Sequence, residues 1–316
     1  MTDADSLNVL LYYAFSAGCL PFIALFVFII MKKSPSCMII YRNTLLNMMI
    51  WYALSLASFG VLQQPVTGLL GTMPCVKLYG AGVILFGTAG GYVACFSGAI
   101  SVLNTGTAIV LCFFYRYIAL GWPHLSIHSN SLHAFLVGLL AHTVTTALVL
   151  CILVIFISVV EITHADQLYY LCIQPSYSIY TSLFCCFTAT FMLTGCVAAL
   201  TLTVLSIRVL LKRKSQMIAK TYRLQRMLTL NLVLLGAMPT LLDAVPVTAV
   251  AVALLFQADC LYMASSIALH IPFFDIPLVC LVTIGFVTPY RKAVFALFRR
   301  RKPGTTGNSF GALFTE

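Results

Sequence analysis

Long apolar runs separated by short polar stretches set the pattern of this chain. Seven runs stand out, at about 8–31, 37–62, 79–114, 132–160, 178–207, 227–255 and 263–287. Each is at least as long as the roughly 20 residues a helix needs to cross the hydrocarbon core, so each predicts a membrane-spanning helix. The short alternating segments of a membrane β-barrel do not appear. Pro21 is expected to kink the first helix. Gln63 to Lys77, rich in Gly, Pro and Thr, reads as a connection, and Glu161 to Tyr177 as the longest connection on that side. After the seventh run, Pro289 to Lys302 interleaves apolar and basic residues at helical spacing, which predicts a short amphipathic helix on a membrane surface. Residues 303–316 read as a loose tail.

Composition agrees with the pattern. Only 8% of residues are charged and 61% are hydrophobic, against about 25% charged in a soluble domain. The expected fold is therefore an all-α membrane protein, a bundle of seven transmembrane helices treated as one domain over residues 1–302. The net charge of +10 does not point to nucleic acid, because the basic residues lie between the apolar runs and in the tail. They act instead as orientation signals. Of the 18 Lys and Arg residues, Lys77 alone falls on the side shared by Asp3, Asp5, Glu161, Asp166 and Asp259. The positive-inside rule then puts the amino terminus outside and the tail in the cytoplasm. The acidic start, Met1 to Ser6, lacks the positive region of a cleaved signal peptide, so the first helix serves as its own insertion signal.

Most of the 12 cysteines lie inside apolar runs, where they are small hydrophobes. Cys75, Cys172 and Cys260 fall in polar connections. Cys75 and Cys172 can pair outside, in an oxidising space, with Cys260 a rival partner. Counted as helix, Cys75 would stand about 61 Å before Arg116, beyond a bilayer, so it is expected in a loop. No CxxC or Cys/His spacing suggests a metal or cofactor, and no hydrolase triad, phosphate loop or paired-carboxylate site suggests an enzyme.

The third run closes on Phe113-Phe114-Tyr115-Arg116-Tyr117-Ile118-Ala119. Seven spans, an outside amino terminus and an arginine closing span three resemble a G-protein-coupled receptor. Tyr115-Arg116-Tyr117 stands where rhodopsin-like receptors carry Asp-Arg-Tyr. Asp275-Ile276-Pro277 is the nearest counterpart of Asn-Pro-x-x-Tyr. Phe114 to Ala119 resembles the span-three ending of the nematode serpentine chemoreceptors, the superfamily with the Str and Srh classes. Ser34-Pro35, Leu45-Leu46-Asn47 and Trp51 resemble its second span. His270 and Thr288-Pro289-Tyr290-Arg291 resemble its closing motif.

The resemblance implies a chemosensory receptor in the plasma membrane, in sensory-neuron cilia, with a heterotrimeric G protein, a small ligand and membrane lipids as partners; oligomerisation stays open. It assigns Tyr115, Arg116, Tyr117, Asp275, Pro277, Tyr290 and Arg291 to activation and coupling. Arg116 alone reads equally as a boundary arginine reaching for water. Asp243 lies inside span six between Pro239 and Pro246, about 24 Å from its basic end. A carboxylate at that depth costs roughly 3 kcal/mol by insertion scales, so it must face the bundle or water. Asp243, His270, Phe274, Tyr92 and Phe96 form the expected ligand site; each also reads as an ordinary interhelical contact. Gly90-Gly91 is expected to let another helix approach. Two rival functions are a small-solute transporter or channel using Asp243, Asp275 and His270, and a receptor-like protein that helps another receptor fold or traffic.

Overall fold

The computed structural model describes residues 3–34, 38–70, 73–122, 131–157, 160–165, 167–173, 179–256 and 261–299. Cys260, His124, His128 and the tail 303–316 lie outside these. Among the described residues six helices are long and apolar enough to cross a bilayer, or seven if the bent pair Phe273–Phe286 and Thr288–Ala296 counts as one span. The molecule is a seven-helix membrane bundle.

The first helix, α1, runs Asp3–Lys33. Then comes α2, Ile39–Ala57, extended by a π-helical stretch Ser58–Gln63. The third, α3, runs Ala81–Gly121, longer and later than the expected 79–114. It is followed by α4, Ser131–Ile157, and α5, Ile179–Lys212. Span six is α6, Ala219–Pro239, a π-helical turn Thr240–Ala244, and α7, Val245–Leu255. It begins eight residues before the apolar run does, because basic residues can continue a helix past the membrane edge. Span seven is α8, Leu261–His270, and α9, Pro272–Phe286. The chain then turns by 96° into α10, Thr288–Arg299.

The span-six break has a local cause. Pro246 has no N–H to give to the Leu242 carbonyl, so the ladder cannot continue in α register and widens into a π turn. In α9, Pro277 likewise frees the Phe273 carbonyl, which accepts the Cys19 thiol of α1 at 3.7 Å.

The two connections read as loops are strands. β1 (Pro65–Leu70), β2 (Met73–Leu78), β3 (Val160–Ala165) and β4 (Leu168–Ile173) form one antiparallel sheet in the order β1-β2-β4-β3. Cys75 therefore sits on a strand, opposite Cys172, to which it is disulfide-bonded. The sheet covers one end of the bundle; Arg116 and the basic residues occupy the other. At the sheet end Lys77 of β2 pairs with Asp5 of α1 at 2.9 Å.

Gly87 (φ +60°) breaks the start of α3, so that its first turn folds back on the helix. A Cβ at Gly90 would lie 1.9 Å from the Gly82 carbonyl. The Gly90-Gly91 pair thus admits this turn and Ile162 of β3, where a second helix was expected.

The densest core lies between α1, α2, α3, α6 and α9, around Phe26, Met48, Cys112, Leu232 and Val279. Large apolar side chains on α4 and α5 point outward, such as Leu140 (64% exposed) and Leu200 (65%). Such a surface is stable only against lipid.

Candidate functional site

α3 packs against α2, α4, α5 and α6, and so organises both ends of the bundle. At the basic end Arg116 is buried, 7% exposed. Its Nη2 donates to the Gln225 carbonyl and, at 3.2 Å, to Thr229 Oγ1; its Nε donates to the same hydroxyl at 3.3 Å. Both acceptors are on α6. A snorkelling arginine would reach for water, whereas this one closes onto another span. Tyr115 turns the other way and donates to the Ala134 carbonyl of α4 at 2.6 Å. Tyr117 packs edge-on against Trp122.

Tyr290, at the 96° turn, is fully buried and shares a hydrogen bond with Ser34 at 2.8 Å. Arg291 is exposed and caps the Gly285 carbonyl at 3.4 Å. Between these and Arg116, Asn231 of α6 donates to the Tyr41 hydroxyl at 2.6 Å and to Thr283 at 3.5 Å. Spans two, six and seven are thereby tied by one buried amide.

Inside the bundle is a cavity of about 710 Å³. Val76 and Leu171 of the sheet roof it, α2, α3, α5, α7 and α8 wall it, and Val110 and Gly236 lie towards its floor. Arg116 follows Val110 by less than two helical turns. Asp243, in the π turn of α6–α7, is on the wall. Its Oδ1 is buried with no hydrogen-bond partner among the described residues. Asp275 of α9 is an electrostatic neighbour of Asp243 and is fully buried; it accepts the Tyr52 hydroxyl on Oδ2 and leaves Oδ1 unpaired. Tyr52 itself is on the cavity wall. Asp275, assigned to activation, is thus an electrostatic neighbour of Asp243, assigned to the ligand, and of the two only Asp243 lines the cavity.

The other expected ligand residues stand apart from that wall. Tyr92 is turned towards the sheet, donating to the Val160 carbonyl at 3.3 Å and accepting the Ile162 N–H at 3.2 Å. Phe96 packs beside it. His270 stacks on Tyr12 of α1, whose hydroxyl holds the Pro65 carbonyl at 2.6 Å. Phe274, 48% exposed, packs on Phe15. These four side chains fasten the sheet and span seven to the bundle.

One polar cluster was not anticipated. His142 of α4 meets Asn47 at 3.0 Å, Trp51 at 3.3 Å and Asn104 at 2.8 Å, joining α2, α3 and α4. His142 is a lone ionisable residue in an apolar run, the same signal that singled out Asp243.

Compared with known families, residues 4–300 match the serpentine type 7TM GPCR chemoreceptor family Srh. The chain belongs to the Srh family. No curated protein matches it. The short motifs at Arg116 and Tyr290 resemble the superfamily in general; the match over residues 4–300 assigns the class. Srh is a family of chemoreceptors, so the chain belongs to a receptor family and not to an enzyme family.

Proposed function

We propose that this Srh receptor binds a small molecule in the central cavity and signals to a heterotrimeric G protein at the Arg116 end. In this reading the sheet faces outside and α10 lies along the inner face of the plasma membrane, in sensory cilia where the cell has them. One observation carries it. A single span, six, supplies both Asp243 at the cavity, inside its π-helical break, and the Arg116 acceptors Gln225 and Thr229.

A bend at that break changes one end when the other changes, which is the mechanical requirement for a receptor. The Arg116 bonds to α6 hold the basic end closed at rest. A ligand that binds the cavity better when α6 has swung shifts the population towards the open form. Asp275 and Pro277, beside the break, form the polar hinge of span seven. Tyr290 and Arg291 fix α10 against the bundle where the G protein docks.

The reading is tested by ligand-evoked cAMP, cGMP or calcium responses in a heterologous cell, with wild type and Arg116→Ala at matched surface levels. Loss of coupling in Arg116→Ala with ligand binding retained is expected. Responses that persist unchanged remove Arg116 from the mechanism. Uptake or current in liposomes without a G protein would instead establish a transporter or channel. Tags at both termini, stained in intact cells, test the orientation; a carboxyl-terminal tag seen without permeabilisation reverses it.

A further inference from the structure

We propose that the cavity selects a small, mainly apolar amine in its protonated form, with the ammonium held by Asp243 and the Asp275 carboxylate as its neighbour. This rests on the receptor reading and adds the chemical class of the ligand. Four observations converge.

The walls are overwhelmingly apolar, with Phe184, Phe191, Met192, Val247 and Val250 among them, so the body of the ligand must be apolar too. Among the described residues, Asp243 is the one carboxylate on the wall, and no Lys, Arg or His accompanies it there. An anionic ligand would meet repulsion without a counter-charge.

Next, Asp243 Oδ1 and Asp275 Oδ1 are both buried and unpartnered. An ionised carboxylate offers acceptors only, and an ammonium offers three donors and no acceptor. The fit is therefore complementary in hydrogen bonding as well as charge, and charge-assisted bonds are about twice as strong as neutral ones. A matching alcohol supplies a single O–H and no charge.

Finally, the two carboxylates come from different elements, the π turn of span six and α9 of span seven. Neighbouring like charges repel, and a cation beside Asp243 relieves that repulsion. A bare metal ion needs more oxygen ligands than these, and among the described residues no group of three or more His, Cys, Asp and Glu gathers to hold one. An organic cation needs only the one or two. Seated against Asp243, inside the π turn, it would also bias the break that the signalling reading requires to move.

The test uses the purified full-length receptor in lipid nanodiscs, titrated at pH 7 with hexylamine, cyclohexylmethylamine and 2-phenylethylamine, and with the alcohols of matching skeleton. Binding is read directly by calorimetry and by thermal stabilisation. Amines are expected to bind at least about 30-fold more tightly than their alcohols, the loss typical of removing one partner of a buried charge pair. In Asp243→Asn this preference should vanish while alcohol affinity is retained, which shows that the variant's cavity is intact. Asp275→Asn should reduce the preference partially. Equal affinity for amine and alcohol, a preference that survives Asp243→Asn, or no amine binding overturns the proposal. If neutral apolar volatiles bind and signal where amines do not, the ligand class fails and the receptor reading stands. If amines bind with the expected preference but no G protein responds, the receptor reading fails by itself.

Discussion

Thr229→Val is the sharpest probe of the Arg116 lock. The substitution keeps the shape of the side chain and removes only the hydroxyl that accepts from Nε and Nη2 at 3.3 and 3.2 Å. A hydrogen bond to a charged group contributes about 1.5–3 kcal/mol. The lower figure applies, because Nη2 keeps the Gln225 carbonyl. If the lock exists only in the resting form, that form alone loses the 1.5 kcal/mol, and the resting-to-active equilibrium moves about tenfold towards active. With roughly 1% of receptors active at rest, within the usual range for a minor state, about a tenth become active without ligand. Basal second-messenger output at matched surface expression should rise close to tenfold. Thr229→Ser, which keeps the hydroxyl, should stay at the wild-type level. Basal output in Thr229→Val equal to wild type would show that the contact forms in both states or in neither, and the lock would be refuted.

Other consequences follow from single contacts. Cys75→Ser or Cys172→Ser opens a link across 97 residues of chain and should cost about 2–5 kcal/mol, seen as a lower Tm and reduced surface expression, with wild type matching the variants under reductant. Gly90→Ala places a Cβ 1.9 Å from the Gly82 carbonyl; the folded turn cannot stay, and yield of monodisperse receptor should collapse. His142→Ala strips partners from Asn47, Trp51 and Asn104. At about 0.6 kcal/mol for an average interhelical bond in a membrane, the loss should be about 2 kcal/mol by thermal unfolding. Lys77→Ala takes the ion-pair partner from the buried Asp5 carboxylate and should lower stability by about 1–3 kcal/mol, read by thermal unfolding.

How much of this could be read from the chain depends on what each feature rests upon. Apolar length alone requires a helix, because lipid offers no partner for backbone N–H and C=O groups; the bundle follows from that rule at every run. Boundaries are less determined. α3 continues past Phe114 to Gly121, and α6 starts at Ala219, since a basic residue sits comfortably on a helix that has left the hydrocarbon. The sheet was hidden for a different reason. β1, β2, β3 and β4 are six residues each, and β2 pairs with β4 across most of a hundred residues of intervening chain. Short strands whose stability comes from a distant partner leave no local period to detect.

The site shows the same division between chemistry and placement. Asp243, Asp275 and Arg116 were identifiable because ionisable groups in apolar runs are costly and must be accommodated. Their partners were not, since Tyr52, Thr229 and Gln225 are common residues whose importance lies wholly in which neighbour they face. Depth along span six, counted at about 1.5 Å per residue, put Asp243 about 24 Å from its basic end and said nothing of its neighbour in span seven. Counting along separate helices ignores where each one starts and how it breaks. The π turn at Thr240–Ala244 changes the rotation along span six, and the sequence Ile271-Pro272 joins two helices in span seven. Both carboxylates lie within a few residues of these irregularities. Proline thereby does more here than bend helices: Pro246 and Pro277 interrupt the ladder close to Asp243 and Asp275, so the irregular stretch of span six that lines the cavity is also where its wall carboxylate sits.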